Sequence, residues 1–540
     1  MAAFYDTNRP LFAPAPLANI IGMLSTWGFG ETAVMDHHDK YADLFDFLGT
    51  APVYDESLTP DDFIPLNQRV FRARVGARYA TPIIANCLGE GIIECDGLFW
   101  PERRNKDGVV IRPGKSLGYR FAPAFRGKLI ALNFLKPESL GRKLDLRTAA
   151  KRAEAQAQAE VTGQGELLGR IEADVNRLRI HRDQALSRNE AVYERTLAFL
   201  AEHRVLLSRA KCPLKRYNYL LDQARLTDQA IALPARKDVA KRLKTAREKA
   251  TEEQPSTLTW YQALVDSVTA SHDRNLVTVE QLATGHYQPV TRPDEESRVF
   301  TFLSSLATKS RADLYHADYP EERLFNLDIR NSQPFLLNVK LKQRYADNGL
   351  PYPADTQRYR QETAEGMFYE KSADAHGLKA DEDRARKEFK GRMFASLLFC
   401  KIQHTEKSTL GQWFIKHYPH VYALIWAGKR HDYTQLAIEM QRIEASLVVD
   451  TVLPALQARG IWCASIHDSI ICLERDVPVA MALLSQAFED AAGIAPSIES
   501  KPLVKEPTPA PNLGGSRFYI YLLWLSFSAS MSRASQRLRY

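Results

Sequence analysis

Leu324-Phe325-Asn326-Leu327-Asp328-Ile329-Arg330-Asn331-Ser332-Gln333-Pro334 decides how the chain is read. An apolar strand runs into one aspartate, a polar turn follows, and a helix is expected from near Ser332. A carboxylate at the end of a buried strand is costly unless a positive charge sits on it. The expected partner of Asp328 is a divalent cation; the plainer reading is that it caps the following helix.

Three other stretches supply complementary parts. Ile461-Trp462-Cys463-Ala464-Ser465-Ile466-His467-Asp468-Ser469-Ile470-Ile471-Cys472-Leu473 reads as two apolar strands joined by a hairpin with Asp468 at its turn. From Asp381 to Cys400 only Gly391 interrupts a run free of proline and glycine, which predicts a helix. On it Arg386, Lys390, Phe394 and Leu398 recur every four residues, and such a series drifts only about 40° per step, so they form one ridge. Upstream, Arg298 opens Arg298-Val299-Phe300-Thr301-Phe302-Leu303, with Arg311 beyond it.

Phosphoryl transfer to a hydroxyl needs these parts. Two metal ions about 3.5–4 Å apart can activate the attacking oxygen and stabilise the leaving one. Two carboxylates on rigid strand ends can hold such ions, and Asp328 and Asp468 are the candidate pair. Fixed cations must meet a triphosphate from the far side, and Arg386 and Lys390, one turn apart, would do so. Phe394, a further turn along, offers a flat apolar surface to base or sugar.

The ordered set resembles the palm and fingers of family A DNA polymerases and of phage-type single-subunit RNA polymerases, in particular the reduced versions carried by bacterial mobile elements and prophages. LDIRNSQPFLL is similar to their first palm motif, whose aspartate binds metal. Arg386-x3-Lys390-x3-Phe394 resembles the fingers helix that grips the incoming nucleotide. IHDSIIC resembles the third motif, whose His-Asp turn would make His467 the primer-end residue and Asp468 the second metal ligand. Met440-Gln441-Arg442-Ile443-Glu444-Ala445 is similar to the glutamine-bearing helix before it, which would put Gln441 on template or primer. Arg298 resembles the minor-groove arginine that precedes the first motif.

The resemblance covers roughly residues 285–500 and implies an α+β, mostly helical, right-hand polymerase: an antiparallel palm sheet with fingers and thumb helices. It further implies Mg2+ or Mn2+, two ions, with a DNA primer-template and nucleoside triphosphates as partners. RNA and accessory proteins of a mobile element are further partners of that class. Three departures leave the sugar preference open. Gln333 stands where DNA-making relatives carry a glutamate against the ribose, in a nucleotide-binding position. Ser469 follows the third-motif aspartate, as in the RNA polymerases, and Leu398-Phe399 replaces a terminal Tyr-Gly. No Asp-x-Glu strand for a proofreading exonuclease stands out upstream.

The rest of the chain is less specific. Residues 1–60, punctuated by Pro10, Pro14, Pro16, Pro52 and Pro60, are expected to be irregular. Adjacent residues point apart on a helix or strand, so His37-His38 reads as structural rather than as a metal pair. Residues 62–142 read as a small winged-helix-like unit: an apolar helix, a strand, a basic turn carrying Arg103, Arg104 and Lys106, and a returning strand. The basic turn would lie along phosphates. Residues 143–284 read as a long helical region with basic clusters, thumb-like and able to track a duplex. Residues 285–504 would be palm and fingers, and residues 505–540 a proline-rich linker with an apolar tail.

Of 540 residues 45% are hydrophobic and 25% charged, ordinary for a globular protein, and the net charge of +7 suits a polyanionic partner without demanding one. Six cysteines without a CxxC pair argue against a disulfide scaffold and a zinc site, and fit a reduced, cytoplasmic setting. No signal peptide is read at the N-terminus, and the most apolar run, Phe518 to Phe527, is too short to span a bilayer. Two other functions fit the same residues. One is a non-catalytic DNA-binding protein of a mobile element or defence system on a polymerase-like scaffold. The other is a primase or a template-independent tailing enzyme.

Overall fold

The computed structural model describes residues 9–55, 58–105, 110–112, 114–207, 214–228, 231–249, 258–285, 289–308, 310–374, 383–466 and 468–503. These residues are mostly helical, with small antiparallel sheets.

The first unit starts with β1 (Leu11–Pro14) and the 24-residue helix Glu31–Tyr54. The irregular segment expected before residue 60 is therefore largely a helix. Val34, His38, Tyr41, Phe45 and Leu48 are buried at alternating spacings of four and three, an amphipathic stripe that outweighs the prolines. Pro52 falls in the last turn, where little of the helix remains to be broken. His37 and His38 do point apart. His37 Nδ1 lies 2.7 Å from the Ala33 carbonyl, whereas His38 is buried against Asp39 at 2.9 Å.

Next come β2 (Ile64–Pro65), the helices Gln68–Val75 and Ala77–Gly89, and β3 (Ile93–Cys95). The hairpin β4 (Arg103–Arg104) and β5 (Val110–Arg112) precedes β6 (Gly118–Phe121) and β7 (Leu129–Leu132). β6 lies between β2 and β3, and β1 pairs with β7. Helix, strand, basic hairpin and strand thus follow in the order read from the sequence. One apolar core runs from Leu11 to Leu144, so the described residues before 60 pack into this unit instead of standing apart from it.

The helical region comprises Leu140–Val161, Gly165–Val175, Arg182–Glu202, Leu214–Thr227, Arg236–Lys249 and Trp260–Thr284. Gly163, at φ +73°, makes the left-handed break between the first two, a conformation glycine adopts without steric cost. Phe199, Leu200, Tyr217, Leu220, Leu243 and Trp260 form its own core. A short strand unforeseen from sequence, β8 (Leu178–Ile180), pairs with β9 (Leu314–His316) and ties this region to the next.

The last unit is built on β10 (Leu324–Ile329), β11 (Cys463–Ile466), β12 (Ser469–Leu473) and β13 (Ile498–Pro502), an antiparallel sheet in the order β11-β12-β10-β13. The helices Ser332–Arg344 and Val477–Ala492 pack together beside it, with Phe335 and Phe488 ring centroids 6.2 Å apart. The register places Leu324 opposite Leu473, Leu327 opposite Ile470 and Asp328 opposite Ser469. Side chains alternate with a period of two, so a slip of one residue would turn Asp328 to the other face. β13 carries no run of β-branched or aromatic residues and is an edge strand ending at Pro502, which is why its sequence does not announce it.

No helix among the described residues is long and apolar enough to cross a membrane. The described cysteines, Cys87, Cys95, Cys400, Cys463 and Cys472, are free thiols. The proline-rich linker and apolar tail at 505–540 lie outside the described residues. Phe335 is fully buried, and Phe335→Ala is expected to cost about 3–5 kcal/mol. The urea midpoint should fall with an unchanged slope; an unchanged midpoint would show that this packing does not hold the sheet.

Candidate active site

Burial along β10 explains where Asp328 stands. Leu324, Leu327 and Ile329 are buried, whereas Asp328 is half-buried at the strand's end. Ser469 of β12 faces it on one side and Glu499 of β13 on the other. Asp468 directly precedes Ser469, whose hydroxyl donates to the Ile466 carbonyl at 2.9 Å and closes the hairpin. Two carboxylates far apart in sequence thus meet at one end of the sheet. Burial first, and then the charge of Asp468, push the Asp328 carboxyl up to about 6, while Lys390 pulls the other way.

The chain then turns sharply. Arg330 N–H donates to the Ser497 carbonyl at 2.9 Å. Asn331, at φ +57°, is the one non-glycine left-handed residue among those described, and asparagine tolerates that region better than most residues. The corner re-aims the backbone from strand to helix, and the helix begins at Ser332 as the sequence predicts. Asn331 Oδ1 accepts from Arg386 Nη2 at 3.2 Å.

The helix expected through Arg386 and Lys390 is Asp383–Met393. Arg386 is held by Glu370 at 2.7 Å as well as by Asn331, so its guanidinium is already engaged. Lys390 is exposed and forms no ion pair among the described residues; its ammonium lies 5.6 Å from the Phe394 ring centroid. From Phe394 to Leu398 the helix widens into a π-helical turn, a distortion frequent at functional sites. The extra residue per turn ends the four-residue ridge, and Leu397 and Leu398 both turn inward. Phe394 packs on Phe399 (5.0 Å between centroids) and edge-on to Tyr369 (6.4 Å).

Glu444 is a site residue that sequence reasoning passed over. Gln441, the residue chosen on that helix, is exposed; Glu444, nearly one turn on, is buried. It accepts from Arg298 Nε at 2.7 Å and from Gln333 Nε2 at 2.8 Å. Burial first, then the charge of Asp468, push its carboxyl up to about 7, against the pull of Arg298. The available signal was its position on the stripe Leu436, Met440, Glu444, an acid where an apolar residue belongs.

Arg298 and Gln333 therefore join the carboxylate cluster through Glu444. Arg311 does not: its Nη2 reaches the Leu303 carbonyl at 3.4 Å, and burial holds its pKa below the usual arginine range. Arg103 is exposed on the separate β4–β5 hairpin, and Arg104 lies beside it on β4. His467 and Lys106 lie outside the described residues.

Six buried polar atoms of this corner have no hydrogen-bond partner among the described residues: Arg330 Nε, Asn331 Nδ2, Ser332 Oγ, Gln333 Oε1, Tyr369 Oη and Glu370 Oε2. Orphans are rare in folded interiors, and their concentration here fits a place where ligand atoms complete the network. The acids also fit a divalent cation. Among the described residues no three or more His, Cys, Asp or Glu side chains converge as a ligand set. Mg2+ commonly takes only one or two protein carboxylates and fills its shell with water and phosphate oxygens. Asp328 and Asp468 are hard oxygen donors that suit Mg2+ or Mn2+, and their mutual repulsion is what such an ion relieves.

No protein-family model matches the chain, and no curated protein does. Among solved structures, the POL domain of Pol1 from M. smegmatis, in complex with DNA primer-template and dNTP, is similar at a TM-score of 0.35 and 12% identity, covering 68% of this chain and 73% of that one. At that similarity the residues of the site, not the likeness, carry the functional reading.

The electrostatics predict a pH-dependent stability. Asp328 has an ordinary value of 3.8 and stands at about 6 when folded, so its charge destabilises the fold above pH 6 and that cost disappears as the pH falls towards 4. Without divalent cations, Asp328→Asn should raise Tm by a few degrees at pH 8, with the gain fading by pH 4. A variant less stable than the parent at pH 8 would show that the half-buried charge of Asp328 does not carry this cost.

Proposed function

We propose that the protein is a nucleotidyltransferase that extends a 3′-hydroxyl on a nucleic-acid template. The single observation that supports it is the meeting of Asp328 and Asp468 at one end of a sheet, within reach of the charge of the exposed Lys390. Asp328 and Asp468 would hold two Mg2+ or Mn2+ ions, which when bound favour the attacking alkoxide and neutralise the leaving pyrophosphate.

In this reading Lys390 meets the triphosphate oxygens from solvent. Arg386, anchored by Glu370 and Asn331, fixes the helix that carries Lys390 and faces the phosphates with it. Phe394, with Tyr369 and Phe399 behind it, gives base or sugar an aromatic surface. Gln333 lies beside the sugar, its orientation set by Glu444. Arg298 and Gln441 serve the primer-template, and His467 the primer end. The Arg103, Arg104 and Lys106 hairpin, Arg311 and the helical region add phosphate contacts that strengthen binding without reading sequence. DNA and nucleoside triphosphates are the proposed partners, and Gln333 with Ser469 keeps ribonucleotides and RNA templates within the assignment. Accessory proteins of a mobile element belong to the same reading.

Primer extension on defined DNA and RNA templates, with dNTPs or NTPs and Mg2+, tests the proposal. Asp328→Ala and Asp468→Ala should each reduce incorporation at least about a thousandfold, roughly 4 kcal/mol of barrier. Lys390→Ala should weaken nucleotide use by about tenfold to a hundredfold, as expected for one charge-assisted contact. Extension that persists in both aspartate variants would overturn the assignment.

A further inference from the structure

A second recess has no residue in common with the carboxylate site. A cavity of about 460 Å3 opens between the helices Arg182–Glu202, Arg236–Lys249 and Trp260–Thr284, with Pro52, Leu58 and Thr59 of the first unit along its wall. That volume lies within the range of roughly 300–1,000 Å3 usual for small-molecule sites.

The lining is chemically divided. Lys241, Arg242 and Arg274 bring three fixed cations to it, and Asp238 is the one acid among the described lining residues. Val192, Leu233, Pro234 and Val268 supply apolar surface, and Tyr193 an aromatic ring. The ring is held in place: its hydroxyl lies 3.4 Å from Thr269 Oγ1, and Lys128 Nζ lies 5.2 Å from its centroid.

Arg242 is the informative residue. Its Nη1 is buried and has no hydrogen-bond partner. The nearest acidic influences, Asp266, Asp62 and Asp61, act on it through charge alone and do not outweigh its burial, which lowers its pKa. Asp266 is itself engaged by Gln262 Nε2 at 2.9 Å. An arginine stays charged in proteins and presents a planar fork of donors that matches phosphate oxygens. Arg242 lines the recess beside Lys241, and a guanidinium that holds a buried donor without a hydrogen-bond partner among the described residues suits an anionic ligand there.

We propose that this cavity binds a small organic phosphate of mononucleotide size, with its phosphate on Arg242 and Lys241 and its organic body against Val268, Leu233 and the Tyr193 ring. A recess walled by three helices favours a small molecule over a polymer backbone. The proposal stands apart from the polymerase reading, since it uses neither aspartate and no metal.

Isothermal titration of the full chain with AMP, ADP and inorganic phosphate, in EDTA to silence metal-dependent sites, tests it. A nucleotide should bind saturably and at least about tenfold more tightly than inorganic phosphate, and Arg242→Gln should weaken it about tenfold or more. Ser271→Trp, at an exposed helix position lining the cavity, should block binding while leaving every cation in place. Asp328→Asn should leave the affinity unchanged. Binding that survives both Arg242→Gln and Ser271→Trp, that is lost in Asp328→Asn, or that fails to saturate in the millimolar range would overturn the proposal.

Discussion

Partial burial of one carboxylate beside a second is the constraint on which the carboxylate corner turns. Antiparallel pairing of β10 with β12 sets Asp328 opposite Ser469 and so brings it beside Asp468. The pairing is favoured by the alternation at the end of β10, where Leu327 and Ile329 share a fully buried face and Asn326 and Asp328 the half-buried one. The register brings two like charges to one corner, and the raised value of Asp328 reflects its burial first and the charge of Asp468 second. A fold that maintains such a cost at a partly open position has a use for negative charge there.

The positive groups around the corner are not equivalent. Arg298 is neutralised by Glu444, and Arg386 by Glu370. These pairs hold side chains in place more than they supply free charge. Lys390, exposed and without an ion pair among the described residues, is a cation available to a ligand. Glu444 links the two sides, since it grips Gln333 just after the strand and Arg298 from an upstream segment, while it feels Asp468. Its carboxyl, pushed up to about 7, makes the network sensitive to protonation near neutral pH.

Periodicity made much of this legible from sequence. The apolar runs around Asp328 and Asp468 announced strands, and both form, joined in one sheet. The helix start at Ser332 and the helix through Arg386 and Lys390 were readable for the same reason. The π-helical turn at Phe394 was not, because the four-residue spacing suits an ordinary α-helix equally well. β8 and β9 have only three residues each and pair far along the chain, and β13 lacks the run of β-branched or aromatic residues that marks a strand. The long helix before residue 60 was obscured by prolines that proved to lie at its margins or beyond it. Glu444 was missed because a motif drew attention to its exposed neighbour, although an acid on an apolar stripe was the better physical clue.

Direct titration of Mn2+ onto the full chain, followed by electron paramagnetic resonance, tests most closely whether the two acids share cations. Binding should weaken as the pH falls through about 6, where Asp328 takes up its proton. It should be largely lost when both Asp328 and Asp468 are asparagine. Mn2+ bound equally well by the double variant, with no dependence on pH, would contradict the account.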